Sequence, residues 1–204
     1  MMVAELNHRV KNILAIVQSV AAQTMRSSST LENFSDAFTG RLRALAIAHD
    51  ILTHTRWIGI GLNELLVAVL APYRTPEDPR FSIMGPAVLL PARAVVPLSM
   101  VLHEMATNAA KYGALSTRRG RIGITWQVSG DIEKSVELVW QERGGPAVTA
   151  GVSGGFGTRL IDLVIGHDLD GSTQADFDSA GVRWTIAFPV RSPAGAARGD
   201  VRVS

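Results

Sequence analysis

The sequence predicts an α+β protein: a helical hairpin followed by an α/β sandwich whose helices cover one face of a mostly antiparallel sheet. Three observations point to it. Apolar residues recur in steps of three and four through the first fifty or so positions. A long, apolar helical stretch follows near the middle of the chain. Beyond it lie two pairs of alternating segments, each joined by turn residues.

Taken in order, Leu6, Val10, Ile13, Val17, Val20 and Thr24 form one helical seam, and Phe34, Phe38, Leu42, Leu45, Ala48 and Leu52 form a second. The polar run Arg26-Ser27-Ser28-Ser29-Thr30 cannot extend an apolar face, so the two helices form a hairpin. Two helices alone leave these seams exposed, and pairing of two hairpins as a dimeric four-helix bundle is expected. A short helix over Leu62–Leu70 stops at Pro72, and extended pieces follow around Phe81–Met84 and Val88–Leu90. Pro91 precedes a largely buried helix over Ala94–Tyr112, with Gly113 as its C-cap. Ile122–Val128 and Val136–Gln141 alternate as a hairpin about Ser129-Gly130-Asp131. A glycine-rich loop from Gly144 to Gly157 leads into a helix ending near Gly166, and Ser172–Phe177 with Val182–Phe188 make a second hairpin. The resulting division is a hairpin at 1–58, a sandwich at 59–190 and a loose tail at 191–204.

Composition narrows the function. With 204 residues, 47% hydrophobic and 19% charged, the chain can bury a good core. Twenty Lys+Arg against 18 Asp+Glu leave a net charge of +2, so no nucleic-acid partner is expected. The absence of cysteine removes disulfides, thiolate nucleophiles and Cys-ligated zinc together. No apolar run reaches the roughly 18 residues of a membrane span, and the first residues lack a secretory signal, so a cytoplasmic location is expected.

Three patches could carry chemistry. His8 is two residues beyond Leu6, a turn of about 200°, which directs it away from the seam and into water among Glu5, Arg9, Lys11 and Asn12. An accessible, neutral imidazole is what a nitrogen nucleophile requires, although an isolated surface histidine is ordinarily just solvated. Glu104, Asn108 and Lys111 share one stripe of the apolar helix. Carboxylate, amide and ammonium together suit a magnesium ion and a phosphate chain, and an intrahelical Glu104–Lys111 charge network suits the spacing equally. Finally, Trp140-Gln141-Glu142-Arg143-Gly144-Gly145-Pro146 and Gly154-Gly155-Phe156-Gly157 combine a carboxylate with glycines that admit a nucleotide backbone, or form an ordinary flexible connection.

In combination these residues resemble the HWE sensor histidine kinases. Glu5-Leu6-Asn7-His8-Arg9-Val10-Lys11-Asn12 is similar to their phosphoacceptor box, and His103 and Trp140-Gln141-Glu142 match the histidine and the Trp-x-Glu motif for which they are named. The resemblance implies a dimerisation and phosphotransfer hairpin followed by a GHKL-type ATP-binding domain using ATP and Mg2+. It implies that His8 is phosphorylated and that Asn108 coordinates magnesium, with Glu104 as a metal-side or proton-accepting carboxylate. Lys111 and Tyr112 would line the phosphates and nucleotide. Glu142 would accept from the adenine amino group, Gly144 would keep the backbone close, and Gly155 and Gly157 would frame the end of a short lid.

The implied reaction passes the phosphoryl group from ATP to His8 and on to an aspartate of a response-regulator receiver domain. Arg9 cannot take the His8 proton, which leaves Glu104 or Glu5 as candidate bases. Competing readings are a phosphotransfer or scaffold protein with a degenerate ATP domain, and a GHKL ATPase or serine kinase, which would not need the His8 hairpin. So few residues precede His8 that the input is expected from an upstream sensor domain or protein absent from this chain.

Overall fold

The computed structural model describes residues 2–55, 58–75, 78–130, 133–147 and 156–190, with side chains from 14 onward except those at 27 and 156. The expected tail and most of the expected lid lie outside these residues. Two long helices open the chain, α1 (Met2–Ser27) and α2 (Leu31–His54). Thr30 starts α2 by accepting a hydrogen bond at its hydroxyl from the Asn33 amide, 3.2 Å away, satisfying one of the donors that a helix start leaves free.

The buried face of α2 is turned by about one residue from the expected seam. Arg41, Ala44, Leu45, Ala48 and Leu52 are buried, whereas Phe34, Phe38 and Leu42 are half-buried. The cause is a neighbour the hairpin pattern could not include. The second half of α2 lies on a later helix, α4 (Ala92–Lys111), and Ala48 and Leu52 join the core of the sandwich.

That sandwich begins with β1 (Gly59–Gly61), α3 (Leu62–Leu70) and a 3-10 turn at Ala71–Tyr73, then β2 (Phe81–Met84) and β3 (Leu89–Pro91). After α4 come a 3-10 turn at Ala114–Ser116, β4 (Arg121–Ser129) and β5 (Lys134–Arg143). α5 (Phe156–Asp168), β6 (Ser172–Asp178) and β7 (Gly181–Val190) complete it. β1 and β3 form a small antiparallel pair. The main sheet runs β2-β4-β5-β7-β6, antiparallel except where β2 lies parallel to β4. Both expected hairpins are present.

Strand alternation puts Ile122, Ile124, Trp126, Val136, Leu138, Trp140, Trp184, Ile186 and Phe188 on one face, where α3, α4 and α5 cover them. α4 is buried on several sides, from Val95 and Leu98 through Leu102 and Met105 to Ala109, and this holds its polar edge in a fixed position at the rim of the core.

Because Leu52 of α2 is 2% exposed within the same core cluster as the sandwich, the hairpin and sandwich should unfold together. Leu52→Ala is expected to lower stability by about 2–5 kcal/mol and to shift one cooperative denaturant transition. Helix and sheet signals that separate into two transitions would contradict a shared core.

Candidate functional site

The polar edge of α4 begins with two residues that face back toward the hairpin. His103 hydrogen-bonds through Nδ1 with the Tyr73 hydroxyl at 3.2 Å, and that hydroxyl also meets the Thr107 hydroxyl at 2.8 Å. Burial holds the imidazole below the usual histidine range, with Arg41 and Arg43 pushing the same way and Glu104 opposing. Its Nε2 lies against α2, where a Cβ on Gly40 would come within 2.7 Å. The absence of a side chain at Gly40 lets the two helices meet.

Glu104 pairs with Arg41 rather than realising the intrahelical network with Lys111. Its Oε2 accepts from Arg41 Nη2 at 3.1 Å, and the two side chains are 15% and 3% exposed. The other oxygen, Oε1, faces the start of α5. A Cβ on Gly157 would lie 3.0 Å from Glu104 Oε1 and 2.8 Å from Asn108 Nδ2, so both polar groups converge on the bare backbone of Gly157. Carboxylate and amide oxygens are the hard donors that Mg2+ takes alongside phosphate oxygens and water, so the residue types fit that ion, with Glu104 Oε1 already facing the point and the Asn108 amide turned with its nitrogen toward it. Lys111 and Tyr112 follow at the end of α4; both are exposed, Tyr112 by 74%.

Glu142 lies on the core-facing side of β5 and is 5% exposed. Its Oε2 accepts from the Ala114 amide at 2.8 Å and its Oε1 from the Trp140 indole Nε1 at 3.1 Å, so the two outer letters of the Trp-x-Glu motif are bonded to each other. Each oxygen keeps a second lone pair. The carboxylate also explains Gly113. Gly113 follows the last turn of α4 as expected, its amide bonding to the Asn108 and Ala109 carbonyls, but with φ −110°, which any residue adopts; a Cβ there would lie 2.1 Å from Glu142 Oε2. Gly144, by contrast, has φ +71° and does need glycine's freedom.

The structure therefore gathers Glu104, Asn108 and Gly157 at one point, and sets Glu142 beside Gly113 and Ala114 just past α4, with Gly144 against Arg119 and Gly120. His8 lies in α1, but its side chain is outside the described residues, as is Gly155. Arg41, Tyr73 and Thr107 were not singled out from sequence, and Thr24 was read only as part of the α1 seam. Arg41 carried a usable signal, since it shares the helical spacing of Ala44, Leu45, Ala48 and Leu52, and a charge on a buried face requires a partner.

Comparison with known proteins accords with this fold. The fold is that of a histidine-kinase core: the structure resembles the blue-light activated histidine kinase of Erythrobacter litoralis with a TM-score of 0.61 at 20% identity, over 93% of this chain and 59% of that one. The isolated histidine kinase domain of that protein gives 0.59 at 14% identity, over 92% and 90%. Residues 5–87 match the family model of the HWE histidine kinases. A blue-light-activated histidine kinase of Brucella ovis is 38% identical over 187 residues, which are 91% of this chain and 38% of the relative. Another, from Erythrobacter litoralis, is 40% identical over 196 residues, 93% of this chain and 53% of the relative. The chain belongs to the HWE histidine kinase family, and it spans about half or less of the length of these relatives. No helix among the described residues is long and apolar enough to cross a membrane.

Burial pushes the Glu142 carboxyl above its ordinary 4.5, while the Ala114 amide and Trp140 indole pull it down. A carboxyl raised in the fold favours folding while protonated; that contribution is full below 4.5 and is lost as pH rises through the folded value. Glu142→Gln removes this titration, so its stability relative to the unmodified protein should improve as pH rises from 4.5. Urea unfolding of both proteins across acidic to neutral pH checks the sign, and a difference that moves the other way would contradict the buried placement.

Proposed function

We propose that this chain is the ATP-dependent protein-histidine kinase core of a signalling protein. In this reading the bond between the γ-phosphorus and its bridging oxygen breaks, a nitrogen–phosphorus bond forms at His8, ADP leaves, and the imidazole proton passes to a carboxylate. The observation that carries it is the convergence of Glu104 and Asn108 on Gly157 at the start of α5. There the Glu104 carboxylate oxygen Oε1 and the Asn108 amide, through its Nδ2, face a helix start whose free amides favour phosphate.

Asn108 and Glu104 would hold Mg2+, which when bound neutralises phosphate charge. Lys111 would place its ammonium against the phosphates, Tyr112 would border the nucleotide, and Gly144, Gly155 and Gly157 would keep backbone close to it. Glu142 would accept from the adenine amino group through a remaining lone pair. Glu5 or Glu104 would receive the His8 proton, because Arg9 cannot. Onward transfer to a receiver aspartate, a homodimer and an upstream sensor complete the proposal.

A second reading is a phosphotransfer or scaffold protein, favoured by the internal bonding of both Glu142 oxygens. Incubation with γ-labelled ATP and Mg2+ separates the two. The kinase reading expects an acid-labile label that His8→Ala abolishes while nucleotide binding stays within a few-fold. An acid-stable label, or equal labelling of the variant, would refute the His8 assignment, and absent nucleotide binding would favour the scaffold.

The dimer draws support from apolar side chains left on the hairpin surface, with Leu14 56%, Met25 67% and Leu31 82% exposed, and from half-buried Val17, Phe34 and Phe38. Light scattering at micromolar concentration should report a dimer, and Val17→Glu a monomer. A monomeric unmodified protein would refute the seam.

A further inference from the structure

A chain of polar contacts, withdrawn from water, links both hairpin helices to α4, the helix that carries the candidate metal site. The Thr24 hydroxyl, 0% exposed on α1, donates to the Val20 carbonyl at 2.6 Å and accepts from Arg41 Nη1 at 2.7 Å. From α2 the same guanidinium reaches Glu104 Oε2 on α4 through Nη2 at 3.1 Å. The planar fork thus holds one donor toward each neighbouring helix, a geometry that an ammonium cannot reproduce with the same rigidity. The close approach at Gly40, one residue before Arg41, sets the reach, because a Cβ there would meet the ring of His103, one residue before Glu104.

We propose that Arg41 is a positioning residue that couples the phosphoacceptor hairpin to the metal site by acting through Glu104. Arg41 holds Oε2, and Oε1 is aimed at Gly157 beside Asn108. A carboxylate fixed by one oxygen presents the other in a defined direction, and such supporting bonds commonly govern a metal ligand's affinity. α1 is one continuous helix, and Thr24 lies ~24 Å along it from His8, so a rotation or shift of that helix acts directly on the Arg41 fork. The inference rests on the proposed role of Glu104 and Asn108 toward magnesium.

The test measures binding of a non-hydrolysable ATP analogue by calorimetry, with Mg2+ and with chelator, alongside thermal unfolding. Unmodified protein should bind more tightly with Mg2+. Arg41→Gln should reduce that magnesium-dependent gain by about 10- to 100-fold while leaving metal-free binding nearly unchanged, which a purely structural defect would not do. Arg41→Lys should recover part of the gain, and Thr24→Val should show a smaller loss in the same direction. Arg41→Gln in a Glu104→Gln background should add nothing.

Full additivity in that double variant, an unchanged magnesium gain, or a larger gain in Arg41→Gln would each overturn the proposal; the last would make Arg41 a restraint on Glu104. If Arg41→Gln does not fold, Arg41→Lys and Thr24→Val decide, and an unaltered gain in both overturns it. No magnesium gain in the unmodified protein would instead sink the underlying reading of the site, and the coupling with it.

Discussion

Helix α4 must satisfy packing demands from several sides, and the rest of the molecule is arranged around it. It shares one core with Trp140, Ile124 and Ile186 of the sheet and with Ala48 and Leu52 of α2, and α2, α3 and α5 pack along it. What remains of its surface is a narrow edge, and every polar side chain placed there is pinned by the packing beneath. That is why His103, Glu104, Thr107 and Asn108 occupy well-determined places without being on a strand or in a tight turn. A site built on such a rigid element needs little ordering when a ligand arrives.

The same packing makes polar groups costly unless they are bonded. Arg41, Glu104, His103 and Glu142 are all withdrawn from water to some degree, and each meets a partner across an element boundary: Thr24 and Glu104 for Arg41, Tyr73 for His103, Ala114 for Glu142, whose other oxygen is held by Trp140 on its own strand. Removing one member of such a set strands the other in a medium that solvates it poorly, so these bonds specify how the elements dock more than they add to stability. Apolar contact alone would tolerate some sliding of α2 along α4. A guanidinium shared between Thr24 and Glu104 does not.

The family motifs acquire a physical division of labour from this arrangement. The Trp and Glu of the Trp-x-Glu run are two apart on one strand, hence on the same face of the sheet, and they bond to each other while holding the end of α4 through Ala114. The histidine and glutamate that open the α4 motif are adjacent and turn toward α2, while Asn108, one turn later, turns toward α5. One helix therefore reads both the preceding hairpin and the following loop.

Much of this was legible in the residues themselves. Spacing located α3 at Leu62–Leu70 and β2 at Phe81–Met84, and alternation located both β-hairpins, because these signals depend on local backbone geometry and on which side of an element meets the core. The stripe of Glu104, Asn108 and Lys111 followed from helical periodicity alone. Tertiary structure decided what that stripe faces. No local pattern states that α2 leans on α4, so the buried face of α2 took in Arg41 rather than Leu42, Glu104 took Arg41 in place of Lys111, and Gly113 proved necessary for the space beside Glu142. Periodicity tells which side of an element is buried but not against what, and the partner of a buried charge can lie anywhere along the chain that folding brings within about 3 Å.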